Sequence, residues 1–512
     1  MKFYDILEKE PVVLVRYGKK FVPANSVVRL EKKKGATEVY VSSEKPIRFV
    51  KITWSLPGLS EGAQVLGDAF ERGYGDLFWG KPEGRKLFWY AAFSDKTNTF
   101  AYGVKTGCSA ICYWEASSDS LSLVLDVQNG TLPVKLGERV LHACDIVQAE
   151  NEDGENAFAF LNRFCKIMCP KPHLAKSPVY GTNTWYYAFT STSYDLVKKD
   201  VELLAECTKG LKNRPYMVID DGWELMNMNR CRFKKIDLWQ PTKQKFPEMK
   251  EVTDFIKSHD QKPGIWVRYL IGTGATPKAW RVPTPLFFDN VALDPSNPEV
   301  LNYVKELTER IKGWGFELIK HDFSTFDVFR CFGSDYYKCK RKRKFYDRTK
   351  TTAEIILNFY KTIREAAGDT VIIGCNTVSH LSAGLFELER IGDDTSPRKW
   401  DAVVKMGVNC LAFRACQHNV FYGCDADCVG HTGEIPWEKN KQWLELLAIS
   451  GTPLFTSIDP RIVTEEIKED LKKAYALAEK QEIVAEPTTW FDDAFPQEWK
   501  RGEEEYKFDF SR

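Results

Sequence analysis

From Tyr180 to about residue 458 the chain alternates short apolar runs, suited to buried strands, with longer runs of helical period. The apolar runs lie near 180–187, 216–221, 262–270, 316–322, 370–376, 385–392, 420–424 and 452–458. Between them, Val197, Val201 and Leu204 share one face of 193–207, and Ile356, Phe359, Tyr360 and Ile363 share one face of 351–367. Ile467, Leu471, Ala474 and Tyr475 do the same in 464–479. The middle segment opens on a capping box, Thr351-x-x-Glu354, and stops at Gly368. Strands separated by helices pair in parallel, and eight of them is the count of a (β/α)8 TIM barrel. A doubly wound open sheet is the competing arrangement. No helix opens on a glycine-rich phosphate loop, which weakens its nucleotide-binding version.

Ahead of this region the period changes. Val12–Val15, Val27–Leu30, Glu38–Val41 and Leu121–Leu125 are short β-branched or alternating runs separated by Gly, Asn, Asp and Pro. That spacing predicts a β-sandwich. The expected organisation is therefore an N-terminal β-sandwich over 1–155 and a linker helix within 156–174. The (β/α)8 barrel follows over 175–482, then a short tail over 483–512.

Composition narrows the function classes. A formal net charge of +1 provides no global positive field to recruit nucleic acid. No apolar stretch approaches the roughly 20 residues of a membrane helix, and the acidic start, MKFYDILEKE, is unlike an export signal. Fourteen scattered cysteines in a chain of this length read as buried free thiols of a cytoplasmic protein. Cys331 with Cys339, or Cys424 with Cys428, lack a second pair at zinc spacing, so neither a metal nor a cofactor is expected.

In such a barrel the chemistry gathers at the carboxyl ends of the strands. Those ends read Asn183-Thr184-Trp185, Asp220-Asp221-Gly222-Trp223, Trp266-Val267-Arg268 and Lys320-His321-Asp322. Then come Cys375-Asn376, Arg390-Ile391-Gly392-Asp393-Asp394, Asp425-Ala426-Asp427 and Asp459. Carboxylates accept hydrogen bonds from vicinal hydroxyls and aromatic faces cover the C–H side of a sugar ring. Taken singly, Asp425 and Asp459 read equally well as helix N-caps, and Trp185 and Trp266 as core aromatics. Together they suggest a carbohydrate site. Lys320 precedes Asp322 by two residues, so both face one side of their strand, and the cation is expected to keep Asp322 ionised.

Asp220-Asp221-Gly222-Trp223, Lys320-x-Asp322 and Arg390-Ile391-Gly392-x-Asp394, with Ile372-Ile373-Gly374-Cys375 between the last two, resemble glycoside hydrolase family 36. That family of α-galactosidases and α-N-acetylgalactosaminidases shares a clan with family 27. The resemblance implies a retaining mechanism with Asp322 as nucleophile and Asp394 as general acid/base, Asp393 being the rival. Such an acid must hold its proton near neutral pH. It further implies Asp220 and Asp221 gripping the sugar hydroxyls, Lys320 and Arg390 as sugar-binding cations, and Trp185 and Cys375 lining the pocket. Trp266 joins them as an aromatic wall.

The expected substrate is an oligosaccharide or small α-galactoside. The alternatives are an α-N-acetylgalactosaminidase, a transglycosylase on the same scaffold, or a non-catalytic carbohydrate-binding relative. Family members usually carry a C-terminal β-domain, whereas about thirty residues remain here after the barrel. Trp79 and Trp89 are candidates for an aromatic reaching the pocket from the front domain. The basic run Lys338–Lys344 reads as a solvated excursion or a homo-oligomer contact, with an anionic-aglycone contact as the third reading. His431–Trp437 reads as part of an acceptor subsite.

Overall fold

The computed structural model describes residues 3–56, 58–59, 62–225, 236–282, 291–333 and 342–512. Its first eleven strands, between Val12 and Glu150, pair antiparallel into one continuous sheet. The period-2 signal is plain in Phe49–Ser55, where Val50, Ile52 and Trp54 are buried while Lys51 and Thr53 are only partly so. Leu87–Ser94 is buried at every position, so both faces of the sheet are covered there. Helix Ala157–Met168 covers one region with Phe160, Leu161, Phe164 and Met168. It packs so tightly that a Cβ at Gly103 would lie 2.6 Å from the Met168 sulfur.

The second sheet is parallel and TIM-like. We number its nine strands β1 (Tyr180–Asn183), β2 (Tyr216–Ile219), β3 (Lys262–Val267), β4 (Leu318–His321) and β5 (Val371–Gly374). They continue with β6 (Leu388–Arg390), β7 (Gly423–Asp425), β8 (Cys428–His431) and β9 (Leu454–Ile458). Each of β1 to β6 pairs with the next, and β7 pairs with β6. At the other edge β8 pairs with β9, which pairs with β1. The two edge strands, β7 and β8, are joined through Ala426 and Asp427 alone. Asp427 takes a left-handed φ of 77° at that joint, a conformation Asp tolerates better than most side chains.

The helices expected from periodicity appear at Tyr194–Cys207, Thr352–Ala367 and Glu465–Ala478. Thr351 and Glu354 form the reciprocal capping box, a contribution of about 1 kcal/mol. The first strand is shorter than 180–187, because Trp185–Ala188 makes a helical turn instead. The tail is more structured than a loose end: three short antiparallel strands within Glu486–Lys507 bring Trp490, Trp499, Phe508 and Phe510 into buried positions. Trp490 meets Trp79 of the front domain edge-on at 5.6 Å.

Inside the parallel sheet, Tyr216, Val218, Leu318, Ile373, Leu388, Cys428 and Phe455 form a separate apolar cluster. Every second residue beyond that plug continues the inward stripe toward the strand ends. Val218 leads to Asp220, Leu318 to Lys320 and Asp322, Ile373 to Cys375, and Leu388 to Arg390. His321 faces the other way, buried edge-on among Tyr269, Phe359, Tyr360 and Phe386. The fold thus carries one stripe from an apolar plug into a polar mouth.

Candidate active site

At the tip of β2, Asp220 is buried and held from three sides. Lys320 Nζ and Asn183 Nδ2 each donate to its Oδ2 at 2.7 Å, and its own backbone N–H donates to Thr184 Oγ1 at 3.0 Å. Burial lowers the Lys320 pKa, but the Asp220 carboxylate outweighs it, so the ammonium is held well above its ordinary value. Removing either partner would strand the other charge, at a cost of about 3–5 kcal/mol. The expected Lys320–Asp322 pairing is therefore corrected. The two share a face, but the ammonium is taken by the deeper, fully buried carboxylate.

Asp322 follows β4 and is only partly buried. Trp266 Nε1 donates to its Oδ2 at 3.0 Å and the Phe323 amide to its Oδ1 at 2.6 Å. Trp266 is thus both a core aromatic, 2% exposed, and a contact of the carboxylate. Phe323 sits at φ 60°, a strained position that costs roughly 1–3 kcal/mol in a non-glycine residue and turns the chain away just past the carboxylate. The Arg268 guanidinium lies 4.3 Å from the Phe323 ring and is itself clamped by Asp327 at 2.6 and 2.9 Å.

Arg390, at the end of β6, is buried and donates to three groups. Its Nη2 lies 2.6 Å from Asp427 Oδ2 and 2.9 Å from Asp394 Oδ1, and its Nη1 lies 3.7 Å from Cys375 Sγ. Burial opposes its charge and Asp427 outweighs burial, keeping the guanidinium well above its usual range. The same Asp427 oxygen accepts from Tyr186 Oη and from the Thr395 amide and hydroxyl, so the kinked joint between β7 and β8 also anchors Arg390. Asp425 accepts from the Asp427 amide at 3.0 Å and Asp459 from Arg461, so neither caps a helix.

The front domain enters the mouth at Glu71–Tyr74. Gly73 bridges to Gly392, with the Gly73 amide donating to Ile391 O at 2.8 Å and the Asp393 amide to Gly73 O at 2.9 Å. Glu71 accepts from Asn376 Nδ2 at 2.6 Å and from the Gly333 amide at 2.7 Å. Arg72, 6% exposed, reaches Asp393 at 2.8 Å and Asp394 at 3.9 Å. Trp79 and Trp89 are instead core aromatics: Trp89 stacks on His380 at 4.6 Å and Trp79 packs on the tail. Arg72 was not singled out from sequence, since it lies in an unremarkable polar loop more than 300 residues from the aspartates it contacts.

The adjacent carboxylates part company. Burial, reinforced by the negative Asp394, pushes Asp393 up against the pull of Arg72. Burial would also raise Asp394, but half of its side chain is open to the mouth, and Arg390, Arg72 and Lys320 together hold its carboxyl below the usual range. The local charges thus favour the ionised form of Asp394, against the protonated form that a general acid requires. Asp394 faces Arg390, Lys320 and Tyr186, whereas Asp393 faces Arg72, Tyr74 and Cys410.

Cys375 lies where these groups meet. Burial first and the Asp322 charge second push its thiol well up, against the combined field of Lys320, Arg390 and Arg72. Trp185, half-buried, joins through Asn183, whose Oδ1 accepts from the Trp185 amide at 2.7 Å. Asp221 is partly buried; its amide donates to Asp220 Oδ1 at 2.9 Å and its charge acts on Arg268. Trp437 is tied to Asp470 at 3.0 Å with its ring edge-on to His431. Among the described residues no group of His, Cys, Asp and Glu is arranged to hold a metal; Cys339 lies outside them. No described helix is long and apolar enough to cross a membrane. A cavity of about 580 Å³ lined by Tyr216, Lys262, Glu317 and Val371 opens at the amino ends of the strands, away from these carboxylates. We place the site at the carboxyl ends, where this fold gathers its chemistry.

The parallel TIM-like sheet preceded by an antiparallel sheet is a fold this chain shares with solved α-galactosidases. No protein-family model matches the sequence. Among solved structures, the chain is similar to the α-galactosidase of Thermus thermophilus crystallised with p-nitrophenyl α-D-galactopyranoside. The TM-score is 0.63 at 16% identity, over 94% of this chain and 95% of that one. It is also similar to the family 36 α-galactosidase of Geobacillus stearothermophilus, with TM-score 0.61 and 12% identity over 88% of this chain and 67% of that one. The α-galactosidase of Lactobacillus brevis gives TM-score 0.62 and 12% identity over 91% and 66%. At such identities the shared property is the fold.

Proposed function

We propose that the chain is a retaining glycoside hydrolase of the family 36 type, releasing terminal α-galactosyl groups through a glycosyl-aspartate intermediate. The observation that carries this reading is the convergence of Asp322, Lys320, Arg390 and Arg72 around Cys375 at the strand ends. Asp322 attacks the anomeric carbon as the bond to the leaving oxygen breaks, and Asp394 delivers a proton to that oxygen. Asp394 then takes a proton from water, which attacks the anomeric carbon and frees Asp322. Asp220, Asp221, Lys320 and Arg390 bind the sugar hydroxyls, with Trp185, Trp266 and Cys375 as walls. Asp394 is favoured as acid/base because it shares the mouth with Lys320 and Arg390. A second reading gives that role to Asp393, whose environment favours the protonated form.

An oligosaccharide substrate is in keeping with the Thermus enzyme, seen with stachyose, and a Geobacillus variant, seen with raffinose. The same reading takes the parallel sheet as a closed (β/α)8 barrel over 175–482 and the doubly covered antiparallel sheet as a sandwich over 1–155. The helix segment 156–174 links them and 483–512 is the tail. The twelve described cysteines are free thiols, all but Cys331 buried, which supports a reducing, cytoplasmic setting.

The test is a panel of aryl glycosides with the anomer of the first product followed by NMR. The highest kcat/KM is expected on the α-galactoside, with α-galactose appearing first. β-Galactose as first product would sink the double displacement. Preference for α-N-acetylgalactosaminide or α-glucoside would replace the glycone, and transfer to added sugar would favour the transglycosylase.

Arg72 supplies a second test. Its guanidinium favours the ionised form of both neighbouring carboxylates, so its loss raises their pKa values. The acid must be protonated to work, so the alkaline limb of kcat/KM in Arg72→Met should move up by about one pH unit. An unchanged pH profile in a folded variant would remove Arg72 from the control of this step.

A further inference from the structure

A second cavity, of about 450 Å³, is lined by Lys135, Lys278, Arg281, Lys344 and Arg348, with Asp294 as its one carboxylate. Lys135 belongs to the front domain, Lys278 and Arg281 to the segment after β3, and Lys344 and Arg348 to the segment after β4. Five cations meet here in a chain whose 72 basic and 71 acidic residues otherwise balance. None of the five forms an ion pair among the described residues.

The single carboxylate does not neutralise them. Asp294 is buried, and its oxygens accept from the Ser296 amide at 2.9 Å, the Ser296 hydroxyl at 2.7 Å and the Tyr346 amide at 2.7 Å. Two of the cations are pinned. Arg281 donates to Thr276 O and Gly274 O, and Arg348 to Asn129 Oδ1 at 2.8 Å and Pro133 O at 2.7 Å. The Lys135 amide donates to Arg348 O at 3.1 Å, which ties the front-domain wall to the pocket. Burial, followed by the like charge of Arg48, pulls the Arg348 pKa down.

We propose that this cavity is a binding site for a phosphate or sulfate ester. Fixed guanidiniums match tetrahedral oxyanions through their paired N–H groups, and mobile lysines add charge without fixed geometry. The volume exceeds that of a bare ion, and the exposed Tyr346 provides ring surface for an organic group. Lys344 closes the basic run Lys338–Lys344, of which 342–344 are described. Arg343 within it is buried, donating to Val328 O at 3.3 Å, and so anchors this end of the run between the exposed Lys342 and Lys344. The proposal stands apart from the glycosidase reading.

Calorimetric titration of the whole protein in phosphate- and sulfate-free, low-salt buffer tests it, with phenyl phosphate, inorganic phosphate and uncharged phenol as probes. Saturable binding of phenyl phosphate is expected, weakened by added salt and absent with phenol. Lys278→Glu with Lys344→Glu, both exposed side chains, should weaken it at least tenfold while the thermal melt is unchanged. Tighter binding of phenyl phosphate than of inorganic phosphate supports the ester; equal binding reduces the site to one for the free anion. No saturable binding of either, or undiminished binding in the charge-reversed variant, overturns the site.

Discussion

Asp322→Asn is expected to lower kcat/KM for an aryl α-galactoside by about 10⁴-fold or more, since it removes the carboxylate proposed to form the glycosyl bond. The carboxylate accepts hydrogen bonds from the Trp266 indole and the Phe323 amide. An Asn can accept one of them but presents its NH₂ to the other donor, at a stability cost of about 1 kcal/mol. The variant should therefore fold while losing turnover. In Asp322→Gly, added azide should occupy the vacated space and yield β-galactosyl azide, the inverted product. Activity within tenfold of wild type in a folded Asp322→Asn protein would refute the assignment of the nucleophile.

The second large effect is expected at the Asp393–Asp394 step. Asp394→Asn should cost about 10²–10⁴-fold on substrates with poor leaving groups, and much less on activated aryl galactosides, which leave without a proton. Azide should rescue it with retention, giving α-galactosyl azide. Asp393→Asn should weaken only the contact with Arg72 and leave most of the rate. The opposite ranking would transfer the role to Asp393. That outcome would have a physical basis, because Asp393 is pushed toward its protonated form and Asp394 away from it. If Asp394 is the acid, substrate must displace water from its open half and weaken the hold of Arg390 and Arg72 before the proton is available.

Much of the parallel sheet and its helices was legible because the rules are local. Period-3.6 stripes located the helices at 193–207, 351–367 and 464–479 to within a residue, and the capping box at Thr351 was read directly. The inward stripe was legible too, as a period of two running from Leu318 through Lys320 to Asp322. What a two-residue period cannot say is which charge meets which. Lys320 and Asp322 share a face, yet the ammonium bonds Asp220, one hundred residues earlier in the chain. Strand 1 was read too long because Trp185-Tyr186-Tyr187 is as apolar as a strand, although it makes a helical turn.

The sequence by itself determined the alternation of strand and helix and the polar tips of the strands. These depend on spacing along one segment, which is written in the residues. Only the tertiary structure decided that Arg72 enters from the front domain, that Asp427 anchors Arg390 across the β7–β8 joint, and that Trp79 and Trp89 stay in the core. Those contacts join residues tens to hundreds of positions apart, and no local period records where two distant segments meet. Charge pairing depends on distances of a few ångströms in a low-dielectric interior, so it follows from packing rather than from pattern.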